Sequence, residues 1–112
     1  MLTTTLRNML IFEKNRIYIV KGILDGNEQV IYVGKAGRQS VAERLMMHLR
    51  GNEKGRQRFG DMLLTEDSSP EWKVEVWTIE ECGQHFGKTF ASIDGAERAM
   101  INWLKPIANK RV

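Results

Sequence analysis

Residues 16–35 read RIYIVKGILDGNEQVIYVGK, two segments rich in β-branched and aromatic residues on either side of a polar turn. Such segments are typical of β-strands, and the Asp-Gly-Asn run at 25–27 is a strong turn signal. The pattern therefore predicts a β-hairpin that pairs roughly residues 16–23 with residues 29–34. Gly34 is expected to end the second strand of this hairpin.

The elements after the hairpin are predicted from capping signals and from the spacing of apolar residues. Ser40 and Glu43 have the capping-box pattern, in which a hydroxyl residue precedes a helix and a glutamate follows three residues later. That pattern predicts a helix from residue 41 to about residue 50. The later elements are predicted to be a short helix at 59–64, a strand at 72–79, a loop at 80–90 and a helix from Asp94 to about Pro106. The order β-β-α-α-β-α indicates a small α+β domain with a largely antiparallel sheet.

Length and composition exclude several classes of protein. With 112 residues, the chain has the size of one domain, in which residues 1–15 are predicted to be an N-terminal extension with a short helical turn. Cys82 is the only cysteine, which excludes a disulfide framework and predicts a reducing, cytoplasmic location. We expect no membrane span and no signal peptide, because no apolar run approaches the roughly 20 residues that cross a bilayer.

The distribution of charge is more informative than the net charge of +3. Residues 1–58 contain 11 lysines and arginines against 5 acidic residues, whereas residues 59–112 contain 6 against 9. A basic half of this kind suits a polyanion such as nucleic acid. Scattered surface lysines and arginines would give the same counts, so charge alone does not decide between the two interpretations.

Four side chains in the predicted hairpin and first helix have both a structural and a functional interpretation. Tyr18 and Tyr32 fall in the two paired strands, where half-buried tyrosines are common. Arg44 and His48 are four residues apart, so they share one face of the helix. Such a pair is usually solvated, although an arginine is suited to binding a phosphate and a histidine to exchanging a proton.

Glu97 lies on the apolar side of the last predicted helix, which is an unusual place for a carboxylate. A simpler explanation exists, because Asp94 at the start of that helix and Glu97 three residues later would form a capping box. On the sequence pattern alone, we favour the capping box. Asn109 follows the Lys105–Ala108 run, where a polar residue needs no special explanation.

Together, these residues resemble the motifs of the GIY-YIG nuclease family over residues 16–109. The resemblance rests on the order and spacing of five short motifs: Ile17-Tyr18, Tyr32-Val33-Gly34-Lys35, Arg44 to His48, Glu97, and Lys105 to Asn109. It implies a three-stranded antiparallel sheet flanked by helices, with residues 16–112 as the nuclease domain. Two features depart from the family. Arg16 stands where its first glycine is expected, and the hairpin loop and the 34–40 loop look longer than in compact members.

The resemblance implies a divalent-metal-dependent endonuclease that hydrolyses phosphodiester bonds in DNA. The resemblance implies that Tyr18 is the general base, that Lys35 and the metal lower the pKa of Tyr18, and that Tyr32 and His48 position the reactants or relay the proton. It further implies that Arg44 stabilises the phosphate charge, that Glu97 binds one Mg²⁺ or Mn²⁺ ion, and that Asn109 shapes the site. A phenol with a pKa of about 10 is a poor base at neutral pH. The division of labour between Tyr18 and His48 is therefore open at this stage.

Nucleic-acid contacts are predicted at Lys35, Arg38, Arg44, Lys54, Arg56 and Arg58. Phosphate contacts position a nucleic acid without reading its sequence, so we expect weak sequence specificity, or specificity supplied by branched structure, a protein partner or a homo-oligomer. One alternative is a catalytically inactive nucleic-acid-binding module of the same fold. Another is a metal-free protein-interaction domain that uses Trp72, Trp77 and Trp103, although a sheet-and-helix core accounts for these tryptophans more simply.

Overall fold

Four strands and four α-helices are found in the computed structural model, which describes residues 1–8, 11–50 and 58–109. In chain order they are β1 (Leu2–Thr5), β2 (Arg16–Leu24), β3 (Asn27–Ala36), α1 (Val41–Arg50), α2 (Arg58–Thr65), β4 (Lys73–Thr78), α3 (Ile79–Phe86) and α4 (Ile93–Leu104). The strands form one antiparallel sheet in the order β1-β4-β2-β3, which confirms the predicted α+β class. None of these helices is long and apolar enough to cross a membrane.

The predicted hairpin is confirmed as β2 and β3, which pair with each other along their length. Asp25 and Gly26 form the turn, and both have positive φ angles, 52° and 81°. A two-residue turn of this kind matches the twist of the strands that it joins. The second strand extends to Ala36, two residues beyond the predicted end.

The sheet has four strands rather than the three expected, because residues 2–5 form an edge strand. β1 pairs with β4 in an unbroken register from Leu2 opposite Val76 to Thr5 opposite Lys73. The predicted helical turn is present only as a 3₁₀ turn after this strand, at residues 6–8. The pairing joins segments that are far apart in the chain, so no local pattern indicates it.

The segment predicted as a loop at 80–90 begins within a helix, α3. The Thr78 side-chain oxygen accepts a hydrogen bond from the Glu81 N–H at 3.0 Å, and the Glu81 carboxylate accepts one from the Thr78 N–H at 2.8 Å. This capping box starts the helix. Gly83 favoured the loop prediction, but it serves close packing: a Cβ there would lie 2.5 Å from the Lys88 carbonyl oxygen.

The capping box predicted for α1 is confirmed. The Ser40 hydroxyl oxygen accepts a hydrogen bond from the Glu43 N–H at 3.2 Å, and the Glu43 carboxylate accepts one from the Ser40 N–H at 2.9 Å. Val41 and Leu45, which are four residues apart on this helix, are fully buried. The cap fixes where the helix begins, and this determines which of its residues face the sheet.

The sheet lies between two helical layers, because β2 is apolar on both faces. Tyr18 and Val20 belong to a core cluster that includes side chains of α1 and α2, whereas Ile17 and Ile19 belong to a second cluster with side chains of α3 and α4. Successive residues of a strand point to opposite faces. The continuous apolar run at 17–20 is therefore buried on both sides.

Residues 107–109 cover the outer edge of β3. The Ile107 N–H donates to the Val30 carbonyl oxygen at 3.2 Å, and the Ala108 N–H donates to the Ile31 carbonyl oxygen at 2.8 Å. These bonds satisfy backbone groups that an edge strand otherwise leaves open.

The tryptophans do not all lie in the core. Trp72 is buried and Trp77 is partly buried against the second cluster, but Trp103 on α4 is 51% exposed. The core prediction was therefore wrong for Trp103. Its ring packs against that of His85 on α3, with centroids 4.3 Å apart, so it lies where the two helices meet rather than beneath the sheet.

Cys82 is fully buried, and burial raises the pKa of its thiol to about 11. Because the thiolate is the reactive form, we expect the native protein to react with Ellman's reagent at pH 8 about 100-fold more slowly than the unfolded protein. The control is the same reaction in concentrated guanidinium chloride. Rapid stoichiometric labelling of the native protein would contradict the buried position.

Candidate active site

Gly34 makes room for the side chain of Tyr18. The two residues are opposite each other in the β2–β3 register. A Cβ at position 34 would lie 2.4 Å from Tyr18 Cζ and 2.5 Å from the Tyr18 hydroxyl oxygen, well inside van der Waals contact. The Tyr18 ring therefore extends from β2 to β3, and its hydroxyl end lies over Gly34.

Helix α1 brings Arg44 and His48 to the same face of the sheet, one helical turn apart. His48 Nε2 lies 3.4 Å from the Tyr18 hydroxyl oxygen. Either atom can donate to the other, depending on which imidazole nitrogen bears the proton. Both side chains are buried, so Tyr18 and His48 form a pair that can exchange a proton away from bulk solvent.

Tyr32 and Phe59 complete an aromatic cluster around His48. The rings of Tyr32 and Phe59 stack, with centroids 4.4 Å apart and an angle of 2° between their planes. The imidazole lies edge-on to both rings, at 4.9 Å from each. Phe59 was not predicted as a site residue, because a first apolar residue in α2 indicates only a core position and not which ring it contacts.

Arg44 has a hydrogen-bond donor that is not used within the described residues. Its Nε is buried without an acceptor, and its Nη1 lies 3.7 Å from Met47 Sδ. Leaving a buried donor without an acceptor costs about 1–3 kcal/mol. A ligand oxygen that accepts from this N–H would remove that cost, and an anionic oxygen suits the permanent charge of a guanidinium best.

Burial raises the pKa of the Tyr18 phenol far above its ordinary value, and the neighbouring Tyr32 raises it further. The Arg44 guanidinium acts in the opposite direction but does not overcome the burial. Tyr18 is therefore a neutral phenol at neutral pH. It can pass a proton between neighbours, but it does not hold a stable negative charge.

The capping box predicted for Asp94 and Glu97 is wrong. Helix α4 begins at Ile93, and Ser92 is its N-cap, whose hydroxyl oxygen accepts from the Gly95 N–H at 3.3 Å. Glu97 therefore lies beyond the capping position, and the simpler explanation for its place in the sequence no longer applies.

Glu97 is half-buried, and burial raises the pKa of its carboxyl. Lys35 is the strongest of the groups that lower this pKa, followed by Arg44 and Arg98. In the part of the chain that the structure describes, the carboxylate forms no ion pair at contact distance. It is thus a partly desolvated anion near cations.

Lys35 lies on the side of β3 that faces α4. Its ammonium group forms an ion pair with Asp94 in the first turn of that helix. Lys35 therefore lowers the pKa of Glu97. Lys35 was predicted to lower the pKa of Tyr18, but Arg44 is the cation that does so. The candidate site accordingly has one cation from β3 and one from α1.

Asn109 holds the backbone of β3 at the site. Its Nδ2 donates to the Val33 carbonyl oxygen, and its Oδ1 accepts from the Val33 N–H, both at 2.8 Å. Val33 stands between Tyr32 and Gly34, so these two bonds fix the strand where both site residues lie. Asn109 can shape the site in this way without contacting a substrate.

The predicted nucleic-acid contacts are only partly within the described residues. Arg38 is exposed in the loop after β3, close in sequence to Lys35. Lys54 and Arg56 lie outside the described residues, as does the side chain of Arg58.

Glu97 is the one residue predicted to hold a metal ion. Across residues 1–8, 11–50 and 58–109, no three His, Cys, Asp or Glu side chains group closely enough to hold an ion. Mg²⁺ is commonly bound through one or two carboxylates together with substrate phosphates and water. An unpaired, half-buried carboxylate fits a site shared with substrate, and it does not fit one in which the protein alone supplies the ligands.

Comparison of the chain with protein-family models, with curated proteins and with solved structures gave no match.

We expect Gly34→Ala to lower the free energy of unfolding by about 1–3 kcal/mol, because the added methyl group overlaps the Tyr18 ring. Gly37→Ala is the matched control: a Cβ there has no neighbour within 4 Å, so a change within about 0.5 kcal/mol is expected. Urea unfolding of both variants measures the difference. Equal stability of the two would show that Tyr18 does not require the glycine.

Proposed function

We propose that this protein is a divalent-metal-dependent endonuclease that hydrolyses phosphodiester bonds in DNA, similar to GIY-YIG nucleases. The observation that carries the proposal is the buried Arg44 N–H, which has no acceptor among the residues that the structure describes. The Arg44 guanidinium is close enough to the Tyr18–His48 pair to lower the pKa of Tyr18, and it also lowers the pKa of Glu97. Phosphodiester hydrolysis needs these three functions together: an anion-binding group, a proton acceptor and a carboxylate that holds a cation.

Arg44 binds the scissile phosphate. A non-bridging phosphate oxygen accepts from the Nε–H, and the fixed positive charge stabilises the negative charge that develops in the transition state. Because a guanidinium does not deprotonate in the working pH range, this stabilisation is independent of pH.

Tyr18 and His48 remove the proton of the attacking water as a pair. The Tyr18 hydroxyl accepts that proton while it donates its own to His48 Nε2, so no charge remains on the buried phenol. A new bond forms between the water oxygen and phosphorus, and the bond to the leaving oxygen breaks. The displaced proton ends on the imidazole, and the leaving oxygen takes a proton from solvent. This assigns the relay to both residues rather than to a free phenolate.

Glu97 holds the divalent cation, with substrate and water oxygens as the other ligands. A bound Mg²⁺ or Mn²⁺ ion supplies positive charge to the phosphate and to the leaving oxygen. Tyr32 supports the relay through its contacts with the His48 and Phe59 rings.

The substrate is DNA, bound through its phosphates with little reading of base sequence. Lys35, Arg38 and the basic residues at 54, 56 and 58 lie in the half of the chain that has excess positive charge. Specificity is then supplied by the shape of the DNA, by a protein partner or by a second copy of the chain, in a cytoplasmic setting.

A second candidate is a nucleic-acid-binding module of the same fold without catalytic activity. The observation that favours it is the lack of a group of three potential metal-ligating side chains in the described part of the chain. Such a module would bind DNA through Arg44 and the basic half but would not cut it.

We expect the protein to nick supercoiled plasmid in Mg²⁺ but not in EDTA. Glu97→Gln and Arg44→Met should each lower the cleavage rate at least about 100-fold, because one removes the charged ligand and the other the phosphate contact. Glu80→Gln, which alters an exposed carboxylate on α3, is the matched control and should cut normally. Circular dichroism checks that all variants fold.

Binding of plasmid without cutting by the wild-type protein would favour the inactive module. Full activity of the Glu97→Gln variant would contradict its role as a ligand, and full activity of Arg44→Met would contradict the phosphate contact.

The proton relay is tested by combining Tyr18→Phe with His48→Gln. Each single change should lower the single-turnover cleavage rate about 100-fold. The double variant should be little slower than the slower single variant, because the two groups act as a unit. Multiplication of the two effects in the double variant would show that Tyr18 and His48 act independently.

A further inference from the structure

Lys35 bridges two elements of the candidate site. It lies near the end of β3, and its ammonium group contacts the Asp94 carboxylate in the first turn of α4. The two side chains are both partly exposed, at 42% and 59%. The ion pair therefore holds the ammonium at the surface of the site, from which its flexible stem allows it to move.

Glu97 follows Asp94 by three residues, so both carboxylates lie on one face of α4, one turn apart. The ammonium of Lys35, held by the first carboxylate, is therefore close enough to the second to lower its pKa. Arg44 approaches Glu97 from α1, and Arg98 does so from α4 itself. Among the described residues, three cations thus act on these two carboxylates, which gives this part of the site an excess of positive charge before any substrate binds.

We propose that Lys35, positioned by Asp94, keeps Glu97 from binding a divalent cation until a phosphodiester is present. The inference rests on the proposed function and adds an order of binding to it. A divalent cation is repelled by the ammonium and guanidinium groups as long as no anion accompanies it. A phosphodiester neutralises part of that charge, and it also offers the ammonium a second partner in place of Asp94.

The two ligands of the site therefore bind cooperatively. If the nucleic acid increases the affinity for the cation by a given factor, the cation increases the affinity for the nucleic acid by the same factor. The protein would hold little metal when it is free of DNA. Asp94 acts here as a positioning residue, since it forms its ion pair with Lys35 and not with the substrate.

The test is the binding of Mn²⁺ alone, followed by electron paramagnetic resonance, to the full chain without DNA. Lys35→Met should increase the Mn²⁺ affinity about tenfold, and adding Glu97→Gln should abolish the gain. Arg98→Met is the matched control, because it removes the same charge from an exposed position on α4. It should increase the affinity much less than Lys35→Met does. Thermal unfolding confirms that each variant is folded.

A second arm measures Mn²⁺ affinity with a short DNA duplex in the slowly cleaving Tyr18→Phe background. Subtracting the Tyr18→Phe/Glu97→Gln signal removes Mn²⁺ that the DNA itself binds. The duplex should increase Mn²⁺ affinity for the protein site about tenfold, and this increase should shrink when Lys35→Met is added.

The possible failures are distinguishable. If Glu97→Gln alone leaves Mn²⁺ binding to the wild-type protein and to Lys35→Met unchanged, the metal site of the proposed function is wrong. If binding depends on Glu97 but Lys35→Met does not tighten it, the proposed function stands and the role of Lys35 is overturned. An equal gain in Mn²⁺ affinity from Arg98→Met would show that the loss of any nearby positive charge has this effect, and it would overturn the specific role of the Lys35 ammonium.

Discussion

The crossing of Tyr18 over Gly34 is the contact on which the candidate site depends. Because no side chain stands at position 34, the phenol ring lies across β3 and its hydroxyl comes within 3.4 Å of His48. A ring confined to its own strand would leave the phenol hydroxyl out of reach of His48. The same crossing buries the hydroxyl, and burial keeps the phenol neutral. One missing side chain thereby sets both the geometry and the protonation state of the site.

The site joins two layers that the sheet otherwise separates. Arg44 and His48 come from the layer on one side, whereas Glu97 comes from the layer on the other side. They interact electrostatically because β3 is the last strand of the sheet, and charges from both layers reach its edge. If β3 were an interior strand, the sheet would separate the charges of one layer from those of the other. The end of the sheet is therefore where a cation and an anion-binding group can act on the same ligand.

The parts of this structure that could be predicted from sequence are those determined by local chemistry. The hairpin turn and the Ser40–Glu43 cap follow from neighbouring residues, so the positions of Tyr18, Tyr32, Arg44 and His48 on their elements could be predicted. β1 was missed because its partner strand is distant in the chain, and the stacking of Phe59 on Tyr32 depends on how α2 packs against the sheet. α3 is a different case, since its Thr78–Glu81 cap was present in the sequence but was not recognised, and Gly83 and Gly87 favoured a loop. Glu97 was wrongly assigned to a capping box because Ser92 and Asp94 are both suitable N-cap residues, and Ser92 is the one that caps α4.

The clamp of Asn109 on Val33 has a consequence for synthesis of the chain on the ribosome. Every strand and helix described here precedes residue 109, so all of them can emerge before the outer edge of β3 is closed. Until then the backbone N–H and carbonyl groups of Val33, between Tyr32 and Gly34 in β3, lack the bonds that Asn109 supplies. A nascent chain therefore has the residues of the site before the two bonds between Asn109 and Val33 form. Completion of the site is coupled to the emergence of a single amide side chain.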